Sequence, residues 1–260
     1  MPNQTLHLEY TGEIAMITLS RPEKRNAITR EMIAELLSAF DEVETSPARV
    51  LILTGAGKAF CSGMDLEALK SFARQSPAEQ REDADRLGTL FLRIWSFPKP
   101  TIAAVNGHAL AGGCGIATLC DFTIAPAEAK FGYPEARIGF LPAVVSVFLA
   151  RQIGDKKARD LLLTGKAIDA AEAQRLGLVT QIVPAKELMI AVQILAASLL
   201  ACSPVSLRMT KKLLYDFAAP EIARELDLAA AASAQIRTTQ DFLDGLESFL
   251  EKRPPRWSGK

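Results

Sequence analysis

Two glycine-rich stretches hold the residues of this chain that could do chemistry. They are GAGKAFCSGMDL (residues 55–66) and NGHALAGGCG (residues 106–115), and each follows a nearly continuous apolar run. Small residues let a carbonyl group approach the backbone closely, and a helix starting at Gly113 would turn its N-terminal amides toward that oxygen. Two such amides from separate turns form an oxyanion hole, which stabilises the charge that develops in acyl and enolate chemistry. Each turn by itself is also typical of a purely structural loop.

Buried parallel strands are expected to position both turns, because ligands of α/β sheets bind beyond the carboxyl ends of the strands. Apolar runs predict strands buried on both faces at residues 49–55, 101–107, 121–125 and 178–184. Helix-length segments separate these runs, and this alternation predicts βαβ units and a mostly parallel sheet. The pattern therefore indicates an α/β fold.

Turn and capping signals predict three further elements. Two β-like runs divided at Thr11-Gly12 predict a hairpin. Thr29 is expected to cap a helix with an apolar face, and Ser76 with Glu79 forms a capping box at the start of another.

The chain changes character after Pro184, since the remaining segments show helical periodicity and no strand signal. We expect an α/β core with the active site over residues 1–184. A helical C-terminal region over residues 185–260 is expected to pack on that core or on another subunit.

Composition narrows the classes of function. Of the 260 residues, 49% are hydrophobic and 23% charged, and 30 basic side chains balance 30 acidic ones. This neutral balance provides no general electrostatic footprint for nucleic acid or an anionic membrane, and neither is expected as a partner. The four cysteines form no C-x-x-C pair, and we find no secretory signal and no uninterrupted apolar run of membrane-spanning length. The expectation is a cytoplasmic protein with free thiols and no metal site.

Several blocks of the sequence, in order and nearly from end to end, resemble the crotonase or enoyl-CoA hydratase/isomerase superfamily. The blocks are LSRPEKRNAIT, LILTGAGKAFCSGMDL, PKPTIAAVNGHALAGGCGIATLCDFTIA, AKFGYPEARIGFLP, LLLTGKAIDAAEAQRLGLVTQIVP and FLEKRPPRW. Within the superfamily, GYPEARIGFLPAVVS and GGCG resemble a branch described as methylglutaconyl-CoA hydratase-like.

The resemblance implies a fold, a substrate class and an assembly. The fold would be a crotonase-type spiral of repeated ββα units with a helical C-terminal trimerisation region. The substrate would be an acyl-CoA thioester with no separate cofactor, because coenzyme A is part of the substrate. The assembly would be a homotrimer or a homohexamer made of two trimers.

The same resemblance assigns catalytic roles. The backbone amides of Met64 and Gly112 would form the oxyanion hole for the thioester carbonyl. Hydratases of this kind use two glutamates around one water; one corresponds to Glu135, and the other position is occupied here by Gly115. Glycine cannot do acid–base work, so Glu135 would act alone, and the missing side chain is expected to leave space for a bulkier acyl branch or a second water.

Coenzyme A contacts and the acyl pocket follow from the resemblance as well. The CoA-binding residues it implies are Lys24, Arg25, Ala27, Phe60, Phe249 and Lys252, with the last two reaching CoA on a neighbouring subunit. The segment from Leu66 to Trp95 would form a variable wall of the acyl pocket. Its apolar side chains Phe72, Leu87, Phe91 and Trp95 are equally typical of a plain helical core.

Other chemistry-bearing residues have structural interpretations that we favour. Asp65 is expected to cap the following helix, and Asp121 to anchor the start of a strand. Cys114 has no visible partner to activate it and is expected to be a packed thiol. His108 lies in the second turn but is expected to be non-catalytic.

Three classes of function follow. The favoured class is a CoA-thioester enzyme, either a hydratase or a Δ3-Δ2 enoyl-CoA isomerase that uses the same glutamate. The second is a degenerate CoA-binding protein that has lost activity with the glutamate at position 115. An RNA-binding or serine-peptidase role on the same scaffold is disfavoured by the neutral charge and by the lack of a serine–histidine pair at the turns.

Overall fold

The computed structural model describes residues 4–72 and 75–260. In these ranges the chain forms a six-stranded and a four-stranded sheet surrounded by helices. The strands are β1 (Leu6–Thr11), β2 (Ile14–Leu19), β3 (Val50–Gly55), β4 (Ala59–Cys61), β5 (Thr101–Ala104), β6 (His108–Leu110), β7 (Phe122–Pro126), β8 (Lys130–Gly132), β9 (Ala167–Asp169) and β10 (Gln181–Val183). The helices are α1 (Arg30–Thr45), α2 (Leu66–Phe72), α3 (Pro77–Ser96), α4 (Gly112–Leu119), α5 (Ala143–Ile153), α6 (Asp155–Thr164), α7 (Ala170–Leu176), α8 (Leu188–Leu200), α9 (Pro204–Asp216), α10 (Ala219–Ile236) and α11 (Gln240–Glu251).

The larger sheet has the order β1-β2-β3-β5-β7-β10 and is parallel except for the β1–β2 hairpin. The predicted hairpin and the four predicted strands are therefore confirmed, with β5 and β10 shorter than expected. Alternate residues of β3 enter different cores: Leu51 and Leu53 belong to the main core, whereas Val50 and Ile52 face α8. Burial on both faces explains why these strands appear as continuous apolar runs.

The smaller sheet has the order β4-β6-β8-β9. Strands β4, β6 and β8 are parallel, and β9 closes the edge in the antiparallel direction. Each of these strands is three residues long, so none produces a periodic signal in the sequence. This sheet is the part of the α/β architecture that the apolar runs did not predict.

The predicted helix starts are confirmed. The Thr29 side chain accepts a hydrogen bond from the Met32 N–H, and Ser76 and Glu79 exchange the two bonds of a capping box. The C-terminal helices contact the α/β core in the described chain. Helix α8 covers one face of the larger sheet, α10 packs on α3 and α5, and α11 packs on the turn at Pro134–Ile138.

Within the described ranges, no single helix is long and apolar enough to cross a membrane. The segments 185–200 and 204–216, which meet at a bend of 101°, satisfy the length and composition criterion only as a pair.

Candidate active site

The two glycine-rich turns lie against each other. A Cβ atom on Gly63, whose φ is +88°, would be 2.5 Å from the Cβ of Ala111 and 3.3 Å from the backbone nitrogen of Gly112. A Cβ on Gly113 would be 2.3 Å from the Cys61 carbonyl oxygen. Only glycine permits this approach, and the contact brings the backbone after β4 next to the start of α4.

Within the described ranges, two backbone N–H groups at this junction lie outside the backbone hydrogen bonds. The Gly63 carbonyl accepts from the Ile28 N–H at 2.8 Å, and the Asp65 N–H donates to the Ile28 carbonyl at 2.9 Å, so the Met64 N–H between them lies outside this bridge. Gly112 is the first residue of α4, and an N–H at that position has no acceptor within its helix. The two predicted oxyanion-hole residues are thus brought together.

The residue before α4 is held in a strained conformation. Ala111 has φ 51° and ψ −130°, outside the regions that non-glycine residues usually occupy. Its N–H donates to the Gly132 carbonyl of β8 at 2.8 Å. Such strain persists where the surrounding structure fixes it, commonly at functional sites, and here it sets the direction in which α4 begins.

Glu135 lies on the short turn Pro134–Ile138 that follows β8, and only 8% of its surface is exposed. Burial raises the pKa of its carboxyl group to about 7. In the described part of the chain, its buried Oε2 atom has no hydrogen-bond partner. A buried carboxyl group that titrates near neutrality and has an unused oxygen is suited to move a proton.

A cavity of about 530 Å³ connects these groups. Met64, Gly112 and Glu135 all line it. Four of the predicted CoA-binding residues line the same cavity: Lys24, Arg25, Ala27 and Phe249. The structure therefore gathers most of the sequence-predicted site residues around one space.

The loop that carries Lys24 and Arg25 is fixed by Asn26. Asn26 is fully buried, and its φ of 54° is in the left-handed region that asparagine tolerates. Its amide nitrogen donates to the carbonyls of Ala56, Ala59 and Phe60 at 2.9–3.1 Å, and its Oδ1 accepts from the Arg21 N–H. This network ties the loop to the backbone that leads into the first glycine-rich turn.

Two predicted CoA-binding residues lie elsewhere. The Phe60 side chain is fully buried in the main hydrophobic core, and it does not line the cavity as expected. All three residues of β4 are buried, and the Phe60 ring packs in the same core as Cys61. Lys252 is exposed at the end of α11 and is also not a lining residue. Its predicted contact involves a neighbouring subunit.

The space expected beside Gly115 is occupied. A Cβ on Gly115 would be 2.5 Å from Cε2 of Phe91 and 3.1 Å from Cγ1 of Val145. The expectation that glycine leaves space there for an acyl branch or a second water is therefore wrong for this position. Phe91 is fully buried, and its ring packs near Phe148 on α5.

The wall predicted between Leu66 and Trp95 contributes to the cavity in part. Leu66 and Leu87 line it, whereas Phe91 belongs to the main core and the half-buried Trp95 packs against that core. The side chain of Phe72 lies outside the described residues.

The structural interpretations of Asp65, Asp121 and Cys114 are confirmed, and the non-catalytic role of His108 stays a prediction. The Asp65 carboxylate accepts from the Glu67 and Ala68 N–H groups at the start of α2. Asp121 accepts from the Thr101 N–H at 2.7 Å and pairs with Lys211. Burial raises the pKa of the Cys114 thiol to about 12, so it is not a thiolate at neutral pH, and His108 is exposed outside the cavity lining.

Sequence reasoning missed Arg237 and Ser233, which line the cavity from α10 and the residue after it. Both are almost fully buried. No motif marks them, since they lie in a helical segment with ordinary periodicity. A possible signal was an arginine four residues after a serine in a mostly apolar helical stretch.

Known proteins resemble this chain over almost its whole length. The sequence model of the family described as Enoyl-CoA hydratase/isomerase matches residues 9–260. A protein of Thermus thermophilus is 43% identical over 247 residues, which cover 95% of this chain and 98% of the relative. Crotonyl-CoA hydratase of Syntrophomonas wolfei is 35% identical over 263 residues, with all of both chains covered. The crystal structure of an enoyl-CoA hydratase/isomerase from Xanthobacter autotrophicus Py2 superposes with a TM-score of 0.89 at 31% identity, covering 95% of this chain and 93% of the other.

Proposed function

The chain belongs to the enoyl-CoA hydratase/isomerase family and has its crotonase-type α/β fold, and on that premise we propose that it hydrates a 2-enoyl-CoA thioester. The observation that carries this proposal is the meeting of two backbone N–H donors and one buried carboxyl group in a single cavity. A relative of similar length is named crotonyl-CoA hydratase, and another, from Clostridium acetobutylicum, short-chain-enoyl-CoA hydratase.

The two N–H groups stabilise charge on the substrate. In this mechanism the thioester carbonyl oxygen accepts hydrogen bonds from the Met64 and Gly112 N–H groups. Attack at C3 moves the electrons of the double bond toward that oxygen and forms an enolate. The fixed donors bind the enolate oxygen more strongly than the neutral carbonyl, and this difference lowers the barrier.

Glu135 moves the proton. As a carboxylate it takes a proton from water while the water oxygen bonds to C3 of the substrate. As a carboxylic acid it then gives a proton to C2 of the enolate, and the carboxylate is restored. The pKa of about 7 makes both forms accessible at neutral pH, because burial disfavours the charged form. The net reaction adds one water and needs no cofactor beyond the CoA thioester.

Isomerisation is the second candidate, and the surroundings of Gly115 favour it. Phe91 and Val145 fill the position from which a second carboxylate would act. With Glu135 alone, a proton removed from C2 of a 3-enoyl-CoA could return at C4, which shifts the double bond without adding water. The same oxyanion hole stabilises the dienolate intermediate.

Lys24, Arg25 and Ala27 are proposed to contact CoA at the cavity. Lys24 forms an ion pair with Glu67 at 3.3 Å, and both side chains are exposed, so the lysine can exchange this partner for a phosphate at small cost. Lys252 and Phe249 are proposed to reach the CoA of a neighbouring subunit.

A trimer, or a hexamer of two trimers, is the proposed assembly. Helices α8 and α9 expose large apolar side chains in the isolated chain, among them Ile194, Met209 and Leu213. Contact between copies would remove such side chains from water. Sedimentation of the purified protein measures the assembly directly.

A product analysis tests the proposed reaction. The purified protein is incubated separately with crotonyl-CoA, 3-methylglutaconyl-CoA and a 3-enoyl-CoA, and the products are separated and weighed by mass spectrometry. A mass gain of one water on a 2-enoyl substrate supports the hydratase. An isomerised product of unchanged mass, with no water gain on any substrate, supports the isomerase. No reaction together with tight CoA binding would point to a degenerate binding protein.

A further inference from the structure

Helix α11 meets the turn that carries Glu135 by direct contact of the two backbones. A Cβ atom on Gly245 would lie 2.5 Å from the Ile138 carbonyl oxygen and 3.0 Å from the Gly139 nitrogen. In the other direction, a Cβ on Gly139 would lie 2.3 Å from the Asp241 carbonyl oxygen. Distances of 2.3–2.5 Å are too short for a Cβ, so glycine is required on both sides where the helix crosses the turn.

The residues at this contact belong to the same hydrogen-bonded turn as the proposed acid–base group. The Phe140 N–H donates to the Glu135 carbonyl at 3.0 Å, and the Gly139 N–H donates to the Ala136 carbonyl at 3.3 Å. Gly139 ends the turn with a φ of 66°, in the left-handed region that favours glycine. Because the Phe140 bond joins the two ends of the turn, a shift of residues 138–140 would also move the backbone of Glu135.

Buried side chains of α11 hold the helix in this place. Phe242 and Leu246 are almost fully buried and form a small apolar cluster with Leu69 of α2. Phe140 packs against the same cluster, with its ring centre 5.3 Å from that of Phe242. Because packed interiors transmit strain, a group added to α11 at residue 245 would displace the turn as well as the helix.

We propose that Gly245 is a positioning residue for Glu135, and that its contact with the turn sets the place of this carboxyl group relative to the oxyanion hole. The inference rests on the proposed function, in which Glu135 moves the proton. The Met64 N–H is held by the bridge of its neighbours to Ile28, and the Gly112 N–H begins α4, so the two donors belong to other elements. Proton transfer therefore depends on the contact more than substrate binding does.

Steady-state kinetics of Gly245→Ala tests this role. We expect kcat for crotonyl-CoA hydration to fall about 10–100-fold, because a catalytic group misplaced by about 1 Å loses much of its effect. KM should change by less than about twofold. Gly88→Ala, at a helical glycine where an added Cβ would be 3.7 Å from Leu226, should keep the wild-type kcat. In the Glu135→Gln background, Gly245→Ala should lower kcat no further, because the group that it positions is gone.

A wild-type kcat in a folded Gly245→Ala protein would overturn the proposal, and so would an equal further fall of kcat in the Glu135→Gln background. Hydrogen exchange of the wild-type protein tests the contact without any variant. The Phe140 N–H is expected to be about as protected as the buried amides of α11, whereas rapid exchange at Phe140 beside a protected α11 would show that the helix does not hold the turn. If the wild-type protein does not hydrate crotonyl-CoA, the proposed function fails, and the exchange rates alone decide the contact between helix and turn.

Discussion

The ring of Phe91 occupies the position that a side chain at residue 115 would need, since a Cβ on Gly115 would lie 2.5 Å from its Cε2 atom. The two positions are therefore coupled by packing. Because of this glycine, Glu135 has no partner glutamate from position 115, and the space that such a side chain would need is already filled. Restoring a second glutamate would require a change at residue 91 as well.

This coupling predicts the stabilities of three variants. Gly115→Ala is expected to destabilise the protein by about 1–3 kcal/mol through overpacking. Phe91→Ala is expected to cost about 3–5 kcal/mol through the cavity that it leaves. The double variant should lose less than the sum of the two, because the smaller side chain at 91 removes the clash. Urea unfolding measures all three.

Gly88→Ala is the control for these measurements. Gly88 lies inside α3, and the nearest atom to an added Cβ is 3.7 Å away on Leu226. This substitution should leave stability unchanged or raise it slightly, as alanine favours helices. Strictly additive losses at positions 115 and 91 would contradict the packing account.

The pH dependence of activity is the second prediction. Glu135 must begin hydration as a carboxylate, and its pKa of about 7 means that it is mostly protonated in mild acid. We expect kcat/KM for crotonyl-CoA to rise with pH and to reach half its maximum near that pKa. A profile that stays flat down to the ordinary glutamate value of about 4.3 would contradict this assignment.

The pH dependence of stability is the third prediction. The pKa of Glu135 is higher in the folded chain than in the unfolded chain, so between the two values the folded state holds the extra proton. The contribution of this group to the free energy of unfolding is fully present below its pKa in the unfolded chain. It is lost as the pH rises through its pKa in the folded chain, and the total loss is about 3 kcal/mol. Glu135→Gln has no carboxyl group at this position and should not show this loss. The unfolding free energy of the wild type minus that of the variant should therefore fall as the pH rises from about 4.3 to the pKa in the folded chain. A constant difference would show that the carboxyl group titrates normally.

The fourth prediction concerns Asn26. Asn26→Ala removes the donor to three carbonyls and places alanine at a φ of 54°, so a loss of about 1–3 kcal/mol is expected. Because this residue positions Lys24 and Arg25, KM for the CoA substrate should also rise. Unfolding and steady-state kinetics measure the two effects. An unchanged KM in a destabilised protein would show that the loop held by Asn26 does not contribute to CoA binding.

The sequence predicted those elements whose signals are local. The strand at 50–55 is a continuous apolar run, and the helix starts at Thr29 and Ser76 follow from capping chemistry. The three-residue strand β6 gave no signal because it is too short for periodicity. The filling of the space beside Gly115 depends on Phe91 from another helix, and no local pattern records that contact.

The site residues that lie within recognisable sequence motifs were predicted. Glu135 and the two glycine-rich turns were identified by their blocks, and the structure brings them into one cavity. Phe60 was expected at the ligand channel from its place in a block, yet packing turns its ring into the core. Arg237 was missed because its place at the cavity depends on which helix covers that space, and this arrangement is set by tertiary packing.

The most direct test of the account is the rate of crotonyl-CoA hydration by Glu135→Gln, with Glu128→Gln as the control. Glu128 is an exposed glutamate in the segment before the active-site turn and does not line the cavity. We predict that kcat falls by about 10²–10⁴-fold in the first variant, with CoA-thioester binding retained, and stays at the wild-type level in the second. Hydration at the wild-type rate by a folded Glu135→Gln protein would show that another group moves the proton.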